Sequence, residues 1–332
     1  MAQRDAGHPS ACLGTITRHR DAGNRLVGGN VAGMCEGRVA VVTGAGRGLG
    51  RAYALALARE GARLVVNDLG GGSDGAGAST GPAADVVDEI RALGGEAVAN
   101  TDDVTDWDAS ARIIGTALDA FGRLDVVINN AGILRDRMFV NTSPDEWDLI
   151  IRVHLRGHFC VGRHAASHWR DQAKSGAAVD ARLVNTSSGA GLMGSVGQSG
   201  YAAAKAGIAG LTIVQAAELG RYGVTVNALA PSARTRLTED VFPDMMARPT
   251  EGFDAMAPEN IAPLVVWLAS ADSRDVTGRI FEAEGGVLSV ADGWQHGAPR
   301  DIGRRWEPAE IGPAVRDLLA QAPPPAVVYG TA

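Results

Sequence analysis

Tyr201 and Lys205 stand four residues apart in YAAAKAGIAGLTIVQAAEL, a run of helical composition, so one turn puts both on one face. A phenol beside an ammonium is a proton-transfer pair. Free tyrosine, with a pKa of about 10, is a poor base at neutral pH, and a neighbouring positive charge favours the phenolate. Ser188 lies thirteen residues before Tyr201, at the end of the strand-like run LVNTSS over residues 183–188. Its hydroxyl could orient and polarise an oxygen atom. Small residues surround Tyr201 and Lys205, so neither is needed for bulk. Tyr-x-x-x-Lys is common by chance, and a helix with an unrelated Tyr and Lys is the plain alternative. The pair gains weight from its place after a strand that ends in Ser188.

The stretch that must position these groups is VAVVTGAGRGLG, Val39 to Gly50. A short apolar run ends in Thr43, glycines follow at 44, 46, 48 and 50, and Arg51 to Glu60 has helical composition. Strand, glycine turn and helix in this order let backbone N–H groups approach a pyrophosphate at the positive end of the helix. Glycine is required where a Cβ would block the tight backbone or the close approach. Gly44, Arg47, Gly48, Leu49 and Gly50 are the candidate contacts. A purely structural βα turn is the alternative; the strand and helix on either side argue against it.

A second strand, Arg63 to Asp68, ends twenty-four residues after Gly44 in Asp68, near the spacing of the acidic residue that bonds the adenosine ribose hydroxyls. A carboxylate there repels a 2′-phosphate and favours NAD over NADP. Arg47 pulls the other way, and a simple strand-end turn is the alternative for Asp68. Further strands are read at about 96–101, Leu124–Ile128, Leu183–Ser188, Val224–Leu229 and Arg279–Glu284, with helices at Ala83–Leu93, Asp106–Phe121, after Ser143, after Tyr201 and at Pro258–Ala269. Ser143-Pro144-Asp145-Glu146 supplies an N-cap, a proline at the first helical position and a capping box. Asp103 and Val104 fall at a strand's carboxyl end, where ligands bind in open parallel sheets. Asp103 could reach an adenine amino group or belong to a helix-capping turn. Asn129-Asn130-Ala131-Gly132 follows an apolar strand, and its amides could brace the cleft, bond the turn backbone, or do both. Seven strand signals alternate with six helix signals, which predicts an α/β Rossmann-type, doubly wound, parallel seven-stranded sheet over residues 36–290.

The flanks differ. Residues 1–35 are polar, rich in Gly and Arg and without periodicity; they are expected to be a disordered extension and receive no function. Residues 291–332 form a tail with a short helix near 308–320, expected to pack on the domain or at a subunit interface. Residues 235–257 carry Phe242, Met245, Met246 and Phe253, either a mobile lid over an apolar substrate or a fixed packed loop. A net charge of −7 across 332 residues argues against a nucleic-acid surface, and no apolar run approaches a membrane span. Cys12, Cys35 and Cys160 have neither disulfide-framework nor zinc spacing, which fits a reducing cytoplasm and no metal.

Thr43-Gly44-x-x-x-Gly48-x-Gly50, Asn129-Asn130-Ala131-Gly132 and Tyr201-x-x-x-Lys205, in that order, resemble the hallmarks of the short-chain dehydrogenase/reductase family. GAGRGLGRAYALALA, VVNDLGG, ALDAFGRLDVVINNAGILRDRMF, RVHLRGHF and GYAAAKAGIAGL are similar to its (3R)-hydroxyacyl-CoA dehydrogenase members, including stand-alone bacterial ones. The resemblance implies NAD-dependent oxidation of a secondary alcohol. Tyr201 is then the general base, Lys205 lowers its pKa and holds the nicotinamide ribose, and Ser188 orients the reacting oxygen. It adds Asn130, Ala131, Gly132, Pro231 and Thr235 to the cofactor contacts. Many members place an Asn where this chain has His154, which either holds the same relay water or is a satisfied core histidine. The family's Pro-Gly is here Pro231-Ser232. The implied substrate is an acyl-CoA or a steroid: a 3-hydroxyacyl-CoA first, a 17β-hydroxysteroid or NADPH-dependent 3-oxoacyl reduction as alternatives, and a dinucleotide-sensing module as the non-enzyme reading. Arg135, Arg137, Arg156 and Arg163 are candidates for the CoA diphosphate. A homodimer or homotetramer is implied.

Overall fold

Val39, Ala40, Val41, Val42 and Thr43 are all buried, and that uniform burial sets the architecture. A strand covered on both faces carries apolar residues continuously rather than alternately. The computed structural model of the chain describes residues 33–71, 77, 79–235, 246–291 and 293–331. The expected N-terminal extension, apart from residues 33–35, lies outside the described residues, as do Phe242 and Met245. Strands β1 (Val39–Thr43), β2 (Arg63–Asn67), β3 (Ala97–Asn100), β4 (Val126–Asn129), β5 (Ala181–Thr186), β6 (Val224–Ser232), β7 (Ile280–Glu284) and β8 (Val287–Ala291) form one sheet in the order β3-β2-β1-β4-β5-β6-β7-β8. Neighbours from β3 to β7 run parallel, and β8 runs antiparallel to β7.

The helices are α1 (Gly48–Arg59), α2 (Gly81–Ala92), α3 (Trp107–Phe121), α4 (Pro144–Ile151), α5 (Gly157–Lys174), α6 (Gly189–Met193), α7 (Ser199–Leu219), α8 (Ala262–Ala269) and α9 (Pro308–Gln321). Alternate residues of β1 serve opposite faces. Ala40 and Val42 pack with Tyr53 and Leu57 of α1, Val86 and Ile90 of α2 and Leu268 of α8. Val39 and Val41 pack with Ile113 of α3, Val161 and Trp169 of α5 and Ala216 of α7. Asp125 fastens the amino end of the sheet: it accepts the Val39 N–H at 2.8 Å and pairs with Arg123. Cys35 and Cys160 are free and buried.

Three departures from the sequence reading have local causes. The sheet has eight strands rather than seven, because Gly285-Gly286 closes a two-residue hairpin, with Glu284 opposite Val287 and Gly285 at φ +53°. The dipeptide that follows the strand read at Arg279–Glu284 is a turn, as Gly-Gly often is. Val287, Leu288 and Val290 are at least half exposed, so β8 carries no in–out alternation to announce it. The helix from Pro144 to Lys174 is interrupted by a π-helical turn at Arg152–Arg156, and α5 runs to Lys174, into residues 170–180, whose polar composition reads as a connection. Such turns are rare and concentrate at functional sites.

Trp169 is fully buried and its indole N–H donates to the Leu124 carbonyl at 2.8 Å. Trp169→Ala removes the largest side chain of that face and orphans the carbonyl, so unfolding free energy in urea is expected to drop by about 3–5 kcal/mol. A drop under about 1 kcal/mol would show that α5 does not anchor the sheet there.

Candidate active site

β1 and β4 are neighbours, but the chain leaves β1 for β2 on one side and leaves β4 for β5 on the other. A crevice opens at the carboxyl ends of strands where the order reverses in this way. It is built around a close approach. Thr43 Oγ1 accepts the N–H groups of Asn130 (2.9 Å) and Ala131 (3.1 Å), and the Asn130 amide donates to the carbonyls of Thr43 (3.0 Å) and Gly44 (3.1 Å). A Cβ at Gly50 would collide with the Gly44 carbonyl oxygen, so glycine at 50 is what lets α1 start against the end of β1. Asn129 faces the other way, toward Asn185 and the His158 carbonyl.

The resulting cavity, about 830 Å³, is lined by Gly44, Arg47, Gly48, Leu49, Gly50, Asp68, Asp103, Val104, Asn130, Ala131, Gly132, His154, Ser188, Tyr201, Lys205, Pro231 and Thr235. Every residue proposed from sequence for cofactor or chemistry therefore faces one space. Its size is in the range of small-molecule and cofactor sites. The first turn of α1 holds no acidic residue, and Arg47 at the N-cap position makes no side-chain cap. Gly48, at φ +52°, has open space where a Cβ would point, with only Thr235 nearby at 3.4 Å. Uncapped N–H groups at a helix start that opens into a cavity suit a pyrophosphate. Asp68 follows β2 and accepts the N–H groups of Gly46 (2.8 Å) and Gly70 (2.7 Å). Arg47 donates to the Gly71 carbonyl at 3.3 Å, beside the same loop. Asp103 accepts the Thr105 N–H at 2.8 Å in the turn that leads into α3 and lines the cavity, while the cap of α3 is Asp106, whose side chain accepts the Ala109 N–H. The residues present fit a nicotinamide dinucleotide.

At the other end, Lys205 is buried and its ammonium donates to the Thr186 carbonyl at 2.7 Å. Burial pulls its pKa down to about 7. Its Nζ stands 5.5 Å from the Tyr201 ring centroid. The sequence reading expected Lys205 to lower the Tyr201 pKa. Instead burial raises it, with Asp136 adding to the rise and a hydrogen bond from the Ser188 side chain opposing it. A desolvated ammonium turned to a backbone carbonyl does not overcome the penalty of burying a phenolate. Tyr201 is thus a neutral phenol in the free chain.

His154 sits in the π-helical turn, edge-on to Tyr201 with ring centroids 5.1 Å apart. Its Nε2 lies 2.7 Å from the Ile133 carbonyl, and its Nδ1 is buried without a hydrogen-bond partner. Nε2 also lies 3.2 Å from the Ile133 N–H, and the shorter contact, to the carbonyl, favours the tautomer with the proton on Nε2. A Cβ at Gly132 would collide with the ring, so Gly132 makes room for His154. Burial holds the His154 pKa well below its ordinary value and takes His158 down to about 3.

Other expectations are not met. Arg135, Arg137, Arg156 and Arg163 do not line the cavity. Arg137 pairs with Glu146, Arg156 donates to the Thr105 carbonyl at 3.0 Å, and Arg163 bonds Ser167. Arg152, which faces the cavity from the π-helical turn, was missed because an arginine on a helix looks like a solvated charge. Of the residues read as a lid, Met246 is buried against the cavity, whereas Phe253 is exposed and does not line it. Two further groups carried no motif. Gln198 and Asp136 bond each other across the loops before α7 and α4. Tyr329 pairs with Ser195 as an isolated bridge, accepts the Val196 N–H at 2.9 Å and lays its ring against Gly189. Among the described residues no cluster of three or more His, Cys, Asp or Glu is placed to hold a metal, and no helix is long and apolar enough to cross a membrane.

Residues 38–245 match the family model for short chain dehydrogenase, and the chain belongs to that family, whose members are oxidoreductases acting on CH–OH groups with a nicotinamide dinucleotide. The chain is 46% identical over 305 residues to hydroxyacyl-CoA dehydrogenase ChsB1 of Mycobacterium tuberculosis, covering 87% of this chain and 90% of that protein. It is 45% identical over 293 residues to peroxisomal multifunctional enzyme type 2 of Mus musculus, covering 88% of this chain but 36% of that longer protein. A solved short chain dehydrogenase from Mycobacterium avium matches with a TM-score of 0.82 and 62% identity over 90% of this chain and 100% of that one.

The neutral histidines set a pH dependence. Their folded pKa values lie below the unfolded value of about 6.5, so below that pH the unfolded chain binds more protons. Stability is full above about pH 6.5 and declines as pH falls; for His158 the decline runs toward pH 3 at about 1.4 kcal/mol per pH unit, and His154 adds in the same direction. Urea unfolding between pH 7 and pH 5 should show this decline, and His158→Gln should flatten it; an unflattened slope would count against a neutral, buried His158.

Proposed function

We propose that the chain oxidises the hydroxyl of a (3R)-hydroxyacyl-CoA to the 3-oxoacyl-CoA with NAD. The observation that carries the substrate class is the similarity, over nearly its whole length, to a protein named hydroxyacyl-CoA dehydrogenase. A cavity holding Asp68 and Ser188, Tyr201 and Lys205 supports the reaction type. Gly44, Gly48, Gly50 and the start of α1 would hold the dinucleotide phosphates, with Leu49, Asp103, Val104, Asn130, Ala131, Gly132, Pro231 and Thr235 along its length. Asp68 would hold the adenosine ribose and exclude a 2′-phosphate, which favours NAD although Arg47 lies close by. When bound, the oxidised nicotinamide supplies the hydride acceptor and a positive charge.

The chain's own residues supply position and proton transfer. Ser188, which lines the cavity with Tyr201, orients the substrate hydroxyl against the phenol oxygen. Tyr201 takes the hydroxyl proton as the C–H bond breaks. Because burial, with Asp136 adding to it, holds Tyr201 above even the ordinary phenol value, it becomes a base when positive charge is added near it. Lys205 is anchored on Thr186, has further N–H donors for the nicotinamide ribose, and keeps the phenolate form in reach. His154 is a positioning residue: its ring ties the π-helical turn to Ile133 beside the Asn130–Gly132 wall.

Tyr201→Phe is expected to lower turnover by about 10²–10⁴ while leaving NADH binding, followed by fluorescence, intact. Undiminished turnover would remove Tyr201 from the mechanism. Initial rates with NAD⁺ and NADP⁺ should favour NAD⁺, and Asp68→Ala should erode that preference by about tenfold, a change worth ~1.4 kcal/mol. A wild-type preference for NADP⁺ would mean that Arg47 outweighs Asp68. Oxidation of a free 17β-hydroxysteroid and not of any 3-hydroxyacyl-CoA would move the function to steroid alcohol oxidation.

A further inference from the structure

Gln198 occupies the N-cap position of α7, three residues before Tyr201, and is 8% exposed while lining the cavity. Its amide nitrogen donates to Asp136 Oδ2 at 2.8 Å. An ionised carboxylate only accepts, so the orientation of the amide is fixed: the NH₂ end is consumed by Asp136 and the carbonyl oxygen is left for the cavity. Backbone bonds hold the two loops together. The Arg137 N–H donates to the Gly197 carbonyl at 2.8 Å, and Arg137 bridges to Gln198. Asp136 keeps its other oxygen, Oδ1, buried and unpartnered. A half-buried carboxylate with a spare oxygen is costly to keep unless the orientation it imposes is used. Burial raises its pKa, and the hydrogen bond from Gln198 works against that rise.

We propose that Gln198, oriented by Asp136, accepts a hydrogen bond from an amide N–H of the substrate's pantetheine arm and so selects thioester substrates over bare secondary alcohols. The proposal rests on the thioester reading above. Gln198 is the N-cap residue of α7 and Tyr201 the third residue of that helix, and both line the same cavity, so the amide and the phenol serve one bound substrate. In a 3-hydroxyacyl thioester the first N–H lies a few bonds beyond the sulfur, on the side of the reacting carbon away from the acyl tail. A free steroid alcohol has no N–H to offer. A site built to bond one group discriminates against an analogue that lacks it, because its own polar atom is then left unpaired.

The test compares a 3-hydroxyacyl-CoA with the methyl ester of the same 3-hydroxy acid, using wild type, Gln198→Leu, Asp136→Ala and Asp136→Asn. Gln198→Leu and Asp136→Ala are expected to lower the preference for the thioester, measured as the ratio of kcat/KM values, by about fivefold to tenfold, with the change carried by the KM of the thioester. Asp136→Asn is expected to keep most of the preference, because its carbonyl oxygen still accepts from Gln198. Equal losses on both substrates, an unchanged preference, or an Asn variant as poor as the Ala variant would each overturn the proposal. Wild-type protein that oxidises the methyl ester but no 3-hydroxyacyl-CoA would instead defeat the thioester reading itself, and the two failures are told apart by the wild-type rates alone.

Discussion

The hydrogen bonds between Asn130 and the Thr43-Gly44 carbonyls are the constraint on which the cleft depends. Two parallel strands at a reversal of sheet order diverge into separate connections, and nothing in the ladder itself holds their ends together. Here a side-chain amide and a threonine hydroxyl complete the pairing after the ladder stops. With that end fixed, the glycine turn packs flat, α1 begins against β1, and its first N–H groups open into the cavity rather than onto protein. The catalytic end is positioned from the same frame, since Ala131 and Gly132 continue directly into Ile133, where His154 is anchored.

Burial then decides the chemistry of each group. Lys205, His154 and His158 are all pushed toward their neutral forms, and Tyr201 is held as phenol. The free site therefore stores no phenolate that could react with other partners. Activation waits for a ligand that brings positive charge into the same low-dielectric space, where a charge counts for more than it does in water. His154 adds no competing charge beside Tyr201, which gives a physical reason for an aromatic, neutral side chain on this wall.

Much of this was legible in the residues. Continuous apolar runs at Val39–Val42 and Leu124–Ile128 gave central strands because both sheet faces are covered, and the capping box at Ser143 gave a helix start because its bonds are local. Asp68, the glycine turn and Tyr201-x-x-x-Lys205 were legible because each chemistry demands a fixed spacing. What was not legible depends on distance or exposure. β8 is an exposed edge strand, the four arginines proposed for a diphosphate turned to protein partners, and Arg152 faces the cavity only through the π-helical turn. The sign of the Tyr201 shift followed from burial, which spacing does not encode. Asp136 and Gln198 meet across two loops and match no motif.

Tyr329 brings a distant part of the chain to the cavity. It forms part of the cavity wall by pairing with Ser195 and packing on Gly189, yet it follows all eight strands in the chain. Ser188, Tyr201 and Lys205 are held by β5, α6 and α7, none of which includes the segment around Tyr329. The wall of the chamber and the chemistry inside it therefore belong to separate stretches of chain, and one can vary in shape while the other keeps its geometry.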